Sequence, residues 1–260
     1  MKKVFIILVL ICCLFTASCK EKTTVINNVI NQTVDIEDTI NINDFEEVIC
    51  NVVENVETSV VGVKCVSSNS LLKTESYGSG VVVKKDNNKY YIVTNRHVIM
   101  KQGNVFSDIY IYLGNVDLYL ACEVVKYDEK VDLALLSVET DILLKPCSIN
   151  NEVKKGQFCI SIGSPYELET YYNTITIGNI SGLNRIIVED TYFHKDISNS
   201  YIQTTAVINL GCSGGGLFNL KGELIGINTW KLVDSSVNLD GMYFCISSNY
   251  IQELFTDYLD

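Results

Sequence analysis

Between Ser59 and Ser248 the chain is a succession of short runs rich in Val, Ile, Thr and Tyr, separated by turn residues such as Gly, Asn and Asp. "SVVGVKCV", "DIYIYL", "DLALLSV", "QFCISIGS", "SYIQTTAV" and "GMYFCISS" are among them. Branched and aromatic side chains suit the pleated surface of a sheet, and turn residues this closely spaced exclude long helices. Proline, which interrupts central strands, occurs only 2 times in 260 residues. The prediction is an all-β domain, barrel or sandwich, in two units of similar size that part near residue 148. "YGSGVVVKKDNNKYYIVTN" reads as a hairpin around Asp86-Asn87-Asn88.

The flanks differ. "DFEEVICNVVENV" spaces Phe45, Val48, Val52, Val53 and Val56 at helical intervals, with Asp44 placed to cap. "SNYIQELFTDYL" reads as a capped, amphipathic closing helix. Residues 19–43 are rich in Asn, Thr and Ile without a core pattern and read as a tether. Before them come Lys2 and Lys3, an apolar run from Val4 to Phe15, and small residues ending at Cys19: the layout of a secretory signal over residues 1–18. The run is short for a bilayer span of about 20 residues. Its ending, "TASC", resembles a bacterial lipoprotein lipobox, with Thr16 where that motif usually has Leu. The resemblance implies cleavage before Cys19, a lipid on Cys19, and an exported, membrane-anchored protein facing the cell surface or periplasm. An uncleaved anchor and a plain signal peptide stay open.

Loss of the leader would remove Lys2 and Lys3 and make the net charge of −11 more negative by two. So acidic a chain has no electrostatic case for binding nucleic acid, and attachment to an anionic membrane would need the lipid. Of 10 cysteines, Cys50, Cys65, Cys122, Cys147, Cys159, Cys212 and Cys245 follow the lipidation candidate. An odd set leaves at least one unpaired. Several sit in apolar runs, so buried free thiols are expected, with one or two disulfides left open. No C-x-x-C pair or histidine cluster is present, so no metal and no cofactor is expected.

Chemistry concentrates in "LGCSGGGLF", where the thiol of Cys212 and the hydroxyl of Ser213 stand side by side. A serine hydroxyl needs a base, a group orienting that base, and donors for an oxyanion. The chain has only 2 histidines. His97 ends the strand-like "KYYIVTN", a rigid setting for a base, although alone it also fits a hydrogen-bonded core histidine. His194 lies in a polar stretch and reads as an exposed loop residue. Asp132 opens the apolar run "VDLALLSV", where a partly buried carboxylate needs a partner; Asp108, Asp117 and Asp141 lack that apolar continuation. Four glycines surround Cys212 and Ser213, so the backbone can turn tightly and aim the amides of Gly211 and Ser213 at one oxyanion. A tight hairpin is the plainer alternative for this loop.

Taken together and in this order, "TNRHV", "DLALL" and "GCSGGGL" resemble the chymotrypsin-like serine proteases, and among them the HtrA/Deg group. Further wording of that group recurs in "SVVGV", "GSGVVV", "YDEKVDLALL", "SIGSPYELE", "SGLNR" and "GELIGINT", over roughly residues 45–256. The resemblance implies two six-stranded antiparallel β-barrels, residues 44–147 and 148–260, with short terminal helices. It implies a serine endopeptidase with His97 as general base, Asp132 orienting it, Ser213 as nucleophile, and Gly211 and Ser213 as the oxyanion hole. It implies an S1 pocket at Val207, Ile208 and Thr229, near Trp230. Polypeptides would be the substrates, and a homotrimer built through residues 44–57 the assembly.

Three departures matter. Cys212 stands where the group usually has Asn, and where trypsin-type zymogens carry the Asp that binds a newly cut N-terminus. Activation by N-terminal insertion is therefore not expected. Gly216 replaces a usual Pro. Nothing follows Asp260, so a PDZ domain is not expected. No carboxylate lies in "TAVINLG", which points to cleavage after small or medium apolar residues rather than Lys or Arg. Two other readings stay open: a non-catalytic peptide-binding or chaperone-like surface lipoprotein on a protease scaffold, and thiol chemistry at Cys212.

Overall fold

The computed structural model describes residues 42–67, 74–186, 200–231 and 240–259. The leader, Cys19, the tether before residue 42 and His194 lie outside the described residues.

Helix α1 (Ile42–Val56) opens the described chain. It starts earlier than the apolar spacing suggests, so Asp44 lies within its first turn instead of capping it. A carboxylate there still meets the positive end of the helix dipole. After a 3₁₀ turn at Glu57–Ser59 come β1 (Val60–Ser67), β2 (Thr74–Asp86), β3 (Lys89–Asn95), α2 (Arg96–Ile99), β4 (Met100–Lys101), β5 (Asn104–Val105), β6 (Asp108–Leu113), β7 (Leu118–Ala121), β8 (Glu123–Asp128) and β9 (Leu133–Glu139). Strands β2 and β3 form the expected hairpin, with Asp86 opposite Lys89 and Asn87 at φ 53. Asparagine tolerates that left-handed backbone.

Seven of these strands form one antiparallel sheet, in the order β7-β6-β1-β2-β3-β9-β8, curled into a half-barrel. The second unit closes fully. β10 (Phe158–Gly163), β11 (Thr174–Arg185), β12 (Tyr201–Thr204), β13 (Gly216–Asn219), β14 (Leu224–Lys231) and β15 (Tyr243–Ser247) make a six-stranded barrel, and α3 (Asn249–Leu259) ends the chain. A mostly β chain with one closed barrel and one curled sheet is the double-barrel architecture that the resemblance implies, with seven strands rather than six in the first half.

Burial explains why the strands read as nearly continuous apolar runs. In β9, Leu133 and Leu135 face one core, while Ala134, Leu136 and Val138 face another. Both faces of such a strand are covered, so the polar half of the usual alternation disappears. One core fills the first sheet, around Val63, Ile92 and Ile111. A second fills the barrel, around Ile180, Ile202 and Leu217. The third joins them, with Val81 and Val93 against Ile160, Phe218 and Ile246, sealed by Val52 and Val56 of α1 and Ile251 and Phe255 of α3. The chemistry-bearing residues sit where strands leave this shared core: Asn95 at the end of β3 with His97 in α2 just beyond it, Asp132 before β9, and Ser213 before β13.

All seven cysteines among the described residues are free. Cys65, Cys159, Cys212 and Cys245 are buried as expected, but Cys50 is exposed on α1. Burial pushes the thiols of Cys65, Cys122 and Cys147 up to about 12.

Candidate active site

The register of β3 with β9 sets Asn95 opposite Leu133, and so brings Asp132 alongside the turn that carries His97. The Arg96 amide donates to the Asp132 carbonyl at 3.0 Å, and the Asn95 carboxamide does so at 3.1 Å. These bonds hold Asp132 in a left-handed backbone, φ 63, which is sparsely populated for a non-glycine residue. The carboxylate then grips His97 twice. Its Oδ1 accepts the His97 backbone amide at 2.9 Å, and its Oδ2 lies 2.6 Å from Nδ1. The Asp132 side chain is only 7% exposed, against 46% for His97.

A carboxylate only accepts, so Nδ1 carries the proton, and neutral imidazole keeps a lone pair on Nε2. Burial pulls the His97 pKa down. The Asp132 charge and hydrogen bond outweigh it, together with the weaker opposing charge of Arg96, so the net direction is up from 6.5.

Ser213 lies in the turn between β12 and β13. Gly211 and Gly214 take φ 96 and φ 86. At Gly214 a Cβ would stand 2.1 Å from the Ser79 carbonyl oxygen and 2.2 Å from Thr94 Oγ1, so only glycine fits. Ser213 Oγ donates to the Thr229 carbonyl at 2.9 Å rather than to the imidazole. A hydrogen-bonded chain nonetheless links the two sides: Asn95 Nδ2, already on the Asp132 carbonyl, also reaches Thr229 Oγ1 at 3.3 Å. Thr229 Oγ1 donates to the Ile227 carbonyl, so it is free to accept from Asn95, which fixes the orientation of that carboxamide.

Among the described residues, the amides of Gly211 and Ser213 donate to no acceptor, although neighbouring amides of the same loop do: Cys212 to Asn209, Gly214 to Asn228 and Gly215 to Cys212. Two unused N–H donors beside a serine hydroxyl are what a developing oxyanion requires. Cys212 is 5% exposed and packs in the barrel core with Ile180 and Leu217. Burial raises its thiol pKa, which disfavours thiolate.

The residues expected at S1 separate. Val207 is 38% exposed, whereas Ile208, at 2%, points into the barrel core, so its side chain cannot line a surface pocket. Both lie in the irregular segment that follows β12 and a bend at residues 205–206, where the backbone turns Val207 outward and Ile208 inward. Thr229 is buried, with its hydroxyl committed to Asn95 and Ile227.

Sequence reasoning passed over Ser79 and Asn95. Both are fully buried, and both reach from the first sheet to the second. Their neighbours in "GSG" and "TNRHV" give no sign of these contacts, which span more than 130 positions.

A model of the trypsin-like peptidase domain matches residues 78–227. A serine protease Do-like HtrA of Lactobacillus helveticus is 40% identical over 189 residues, 71% of this chain and 43% of that protein. Serine protease HTR4 of Rattus norvegicus is 38% identical over 212 residues, 80% of this chain and 40% of its own. A serine protease Do-like HtrB of Bacillus subtilis is 34% identical over 219 residues, 79% of this chain and 46% of its own. The chain thus spans less than half the length of these relatives. Among solved structures, an HtrA-type protease with a tripeptide superposes with a TM-score of 0.64 at 26% identity, over 81% of this chain and 63% of that one.

Proposed function

Because the chain belongs to the trypsin-like peptidase family, we propose that it is a serine endopeptidase acting on exported polypeptides, unfolded or misfolded ones above all. Ser213 attacks the scissile carbonyl, His97 takes its proton at Nε2, and Asp132 holds the imidazole and stabilises the imidazolium. The hydroxyl of Ser213 first turns from the Thr229 carbonyl toward His97. The tetrahedral oxyanion is received by the Gly211 and Ser213 amides. His97 then gives the proton to the leaving amine, an acyl-enzyme forms on Ser213, and water releases it by the same steps in reverse roles.

The observation that supports this most is the double grip of Asp132 on His97, at 2.9 Å and 2.6 Å. A satisfied structural histidine has no need of a carboxylate strained into φ 63 to fix its tautomer. The exposed Val207, with no carboxylate in the segment before Ser213, supports cleavage after small or medium apolar residues. The leader supports export and lipid anchorage at Cys19, and α1 is the element through which a homotrimer would assemble.

Digestion of casein separates the readings. Wild type and Cys212→Ser should degrade it and Ser213→Ala should not. Equal digestion by Ser213→Ala ends the serine reading; a folded wild type that digests nothing leaves a peptide-binding scaffold.

A further inference from the structure

The carboxylate that trypsin-type enzymes use to brace this loop is missing, because position 212 is a cysteine sealed in the barrel core. Gly211, Gly214, Gly215 and Gly216 have no side chains with which to anchor themselves. Yet the two N–H groups facing an oxyanion must be preorganised to be of use. Backbone bonds close the turn on its barrel side, Gly215 donating to the Cys212 carbonyl and Gly214 to the Asn228 carbonyl, so what is left to brace is the side facing the first sheet, at the Gly211 and Ser213 carbonyls.

One side chain from the other sheet reaches the loop. Ser79, on β2, is fully buried, with every polar atom hydrogen-bonded and two of those bonds on the loop. Its amide donates to the Ser213 carbonyl at 2.8 Å. Its hydroxyl donates to the Gly211 carbonyl at 2.8 Å and accepts the Ser164 amide at 2.9 Å. Its own carbonyl accepts from Thr94 Oγ1 at 2.7 Å, which ties it to β3. A hydroxyl offers one donor and two lone pairs, so this geometry commits the proton to Gly211.

We infer that Ser79 is the positioning residue that aims the oxyanion amides, in place of the absent carboxylate at 212. A peptide group is planar, so fixing a carbonyl fixes the N–H of the next residue. The plane carrying the Ser213 N–H also carries the Cys212 carbonyl, which accepts the Gly215 amide at 2.9 Å, and Ser79 holds the Gly211 and Ser213 carbonyls of the planes on either side, so the closed turn is fixed in direction against β2. The Gly211 N–H shares its plane with the Leu210 carbonyl, which accepts the Tyr166 amide at 2.8 Å. Tyr166 lies two residues from Ser164, whose amide Ser79 holds. One serine of the first sheet thus steadies both donors of the second.

The inference rests on the reading of Ser213 as nucleophile, and the test keeps the two apart. Turnover of a peptide p-nitroanilide is compared for wild type and Ser79→Ala, with the inhibition constant of a peptidyl trifluoromethyl ketone, whose adduct places an oxyanion in the site. The alanine variant should lose roughly 10–100-fold in kcat and a similar factor in ketone affinity, with KM within about threefold. The pH midpoint set by His97 should not move, because the base is untouched. Ser79→Cys, which keeps the volume and weakens the donor, should show the same paired loss if alanine lowers the melting temperature too far to assay. Unchanged kcat and ketone affinity in a folded variant overturn the inference, as does a rise in KM alone. An inactive wild type overturns the endopeptidase reading instead.

Discussion

Asp132 reaches His97 with both carboxylate oxygens, Oδ2 to the ring Nδ1 and Oδ1 to the backbone amide. The first bond sets the tautomer and the second sets the direction from which the ring is held. Because the net effect raises the His97 pKa above 6.5, the neutral base is lost as pH falls through that higher value. The rate should therefore follow an acid limb with a midpoint above 6.5, read from kcat/KM against pH. In Asp132→Asn the raising causes go and burial remains, so the midpoint should drop while kcat falls by about 10⁴-fold. The same raised pKa makes the pair stabilising below the unfolded value, and that contribution is lost as pH rises through the folded one.

Cys212 is expected to be dispensable for chemistry. Cys212→Ser should keep kcat within about threefold of wild type. It should lose about 1–3 kcal/mol of stability, because a hydroxyl enters an apolar core. Urea unfolding and peptide turnover measured on one sample check both parts. Iodoacetamide should modify exposed Cys50 first and leave activity intact.

Gly214→Ala should be severe. The left-handed backbone alone costs a non-glycine residue about 1–2 kcal/mol. The new Cβ would also meet the Ser79 carbonyl at 2.1 Å, which forces the nucleophile turn away from β2. Loss of turnover with a lowered urea midpoint is the expected pair of results.

Val207 is the accessible residue of the three expected at S1. Val207→Asp should bring cleavage after Lys or Arg into a library profile dominated in wild type by small or medium apolar residues. Ile208→Asp should instead unfold the barrel, since it places a carboxylate in the core. Thermal melts of the two variants distinguish them.

Much of the site was legible in the sequence because its signals are local. His97 follows a strand, Asp132 opens an apolar run, and Ser213 sits in a glycine frame; each can be read within about ten residues. Ser79 and Asn95 could not be read that way. Ser79 acts across 132 positions on Gly211, and Asn95 across 134 on Thr229, and only the packing of the two sheets creates either contact. The direction of Ile208 is set by the irregular turn after β12, at residues 205–209, whose path the sequence does not dictate. Asp44 falls inside α1 because propensity places the end of an element only to within a few residues. The fold class was legible from strand runs and turns, but closure was not: hydrogen-bonded order, which makes one half a closed barrel and the other a seven-stranded sheet, is a long-range property.

The most direct test of the account is to label the folded protein with a fluorophosphonate and map the adduct by peptide mass spectrometry. The account predicts one adduct per chain on Ser213, abolished by Ser213→Ala and unaffected by Cys212→Ser. An adduct on Cys212, or a folded and monodisperse protein that never labels, would contradict it.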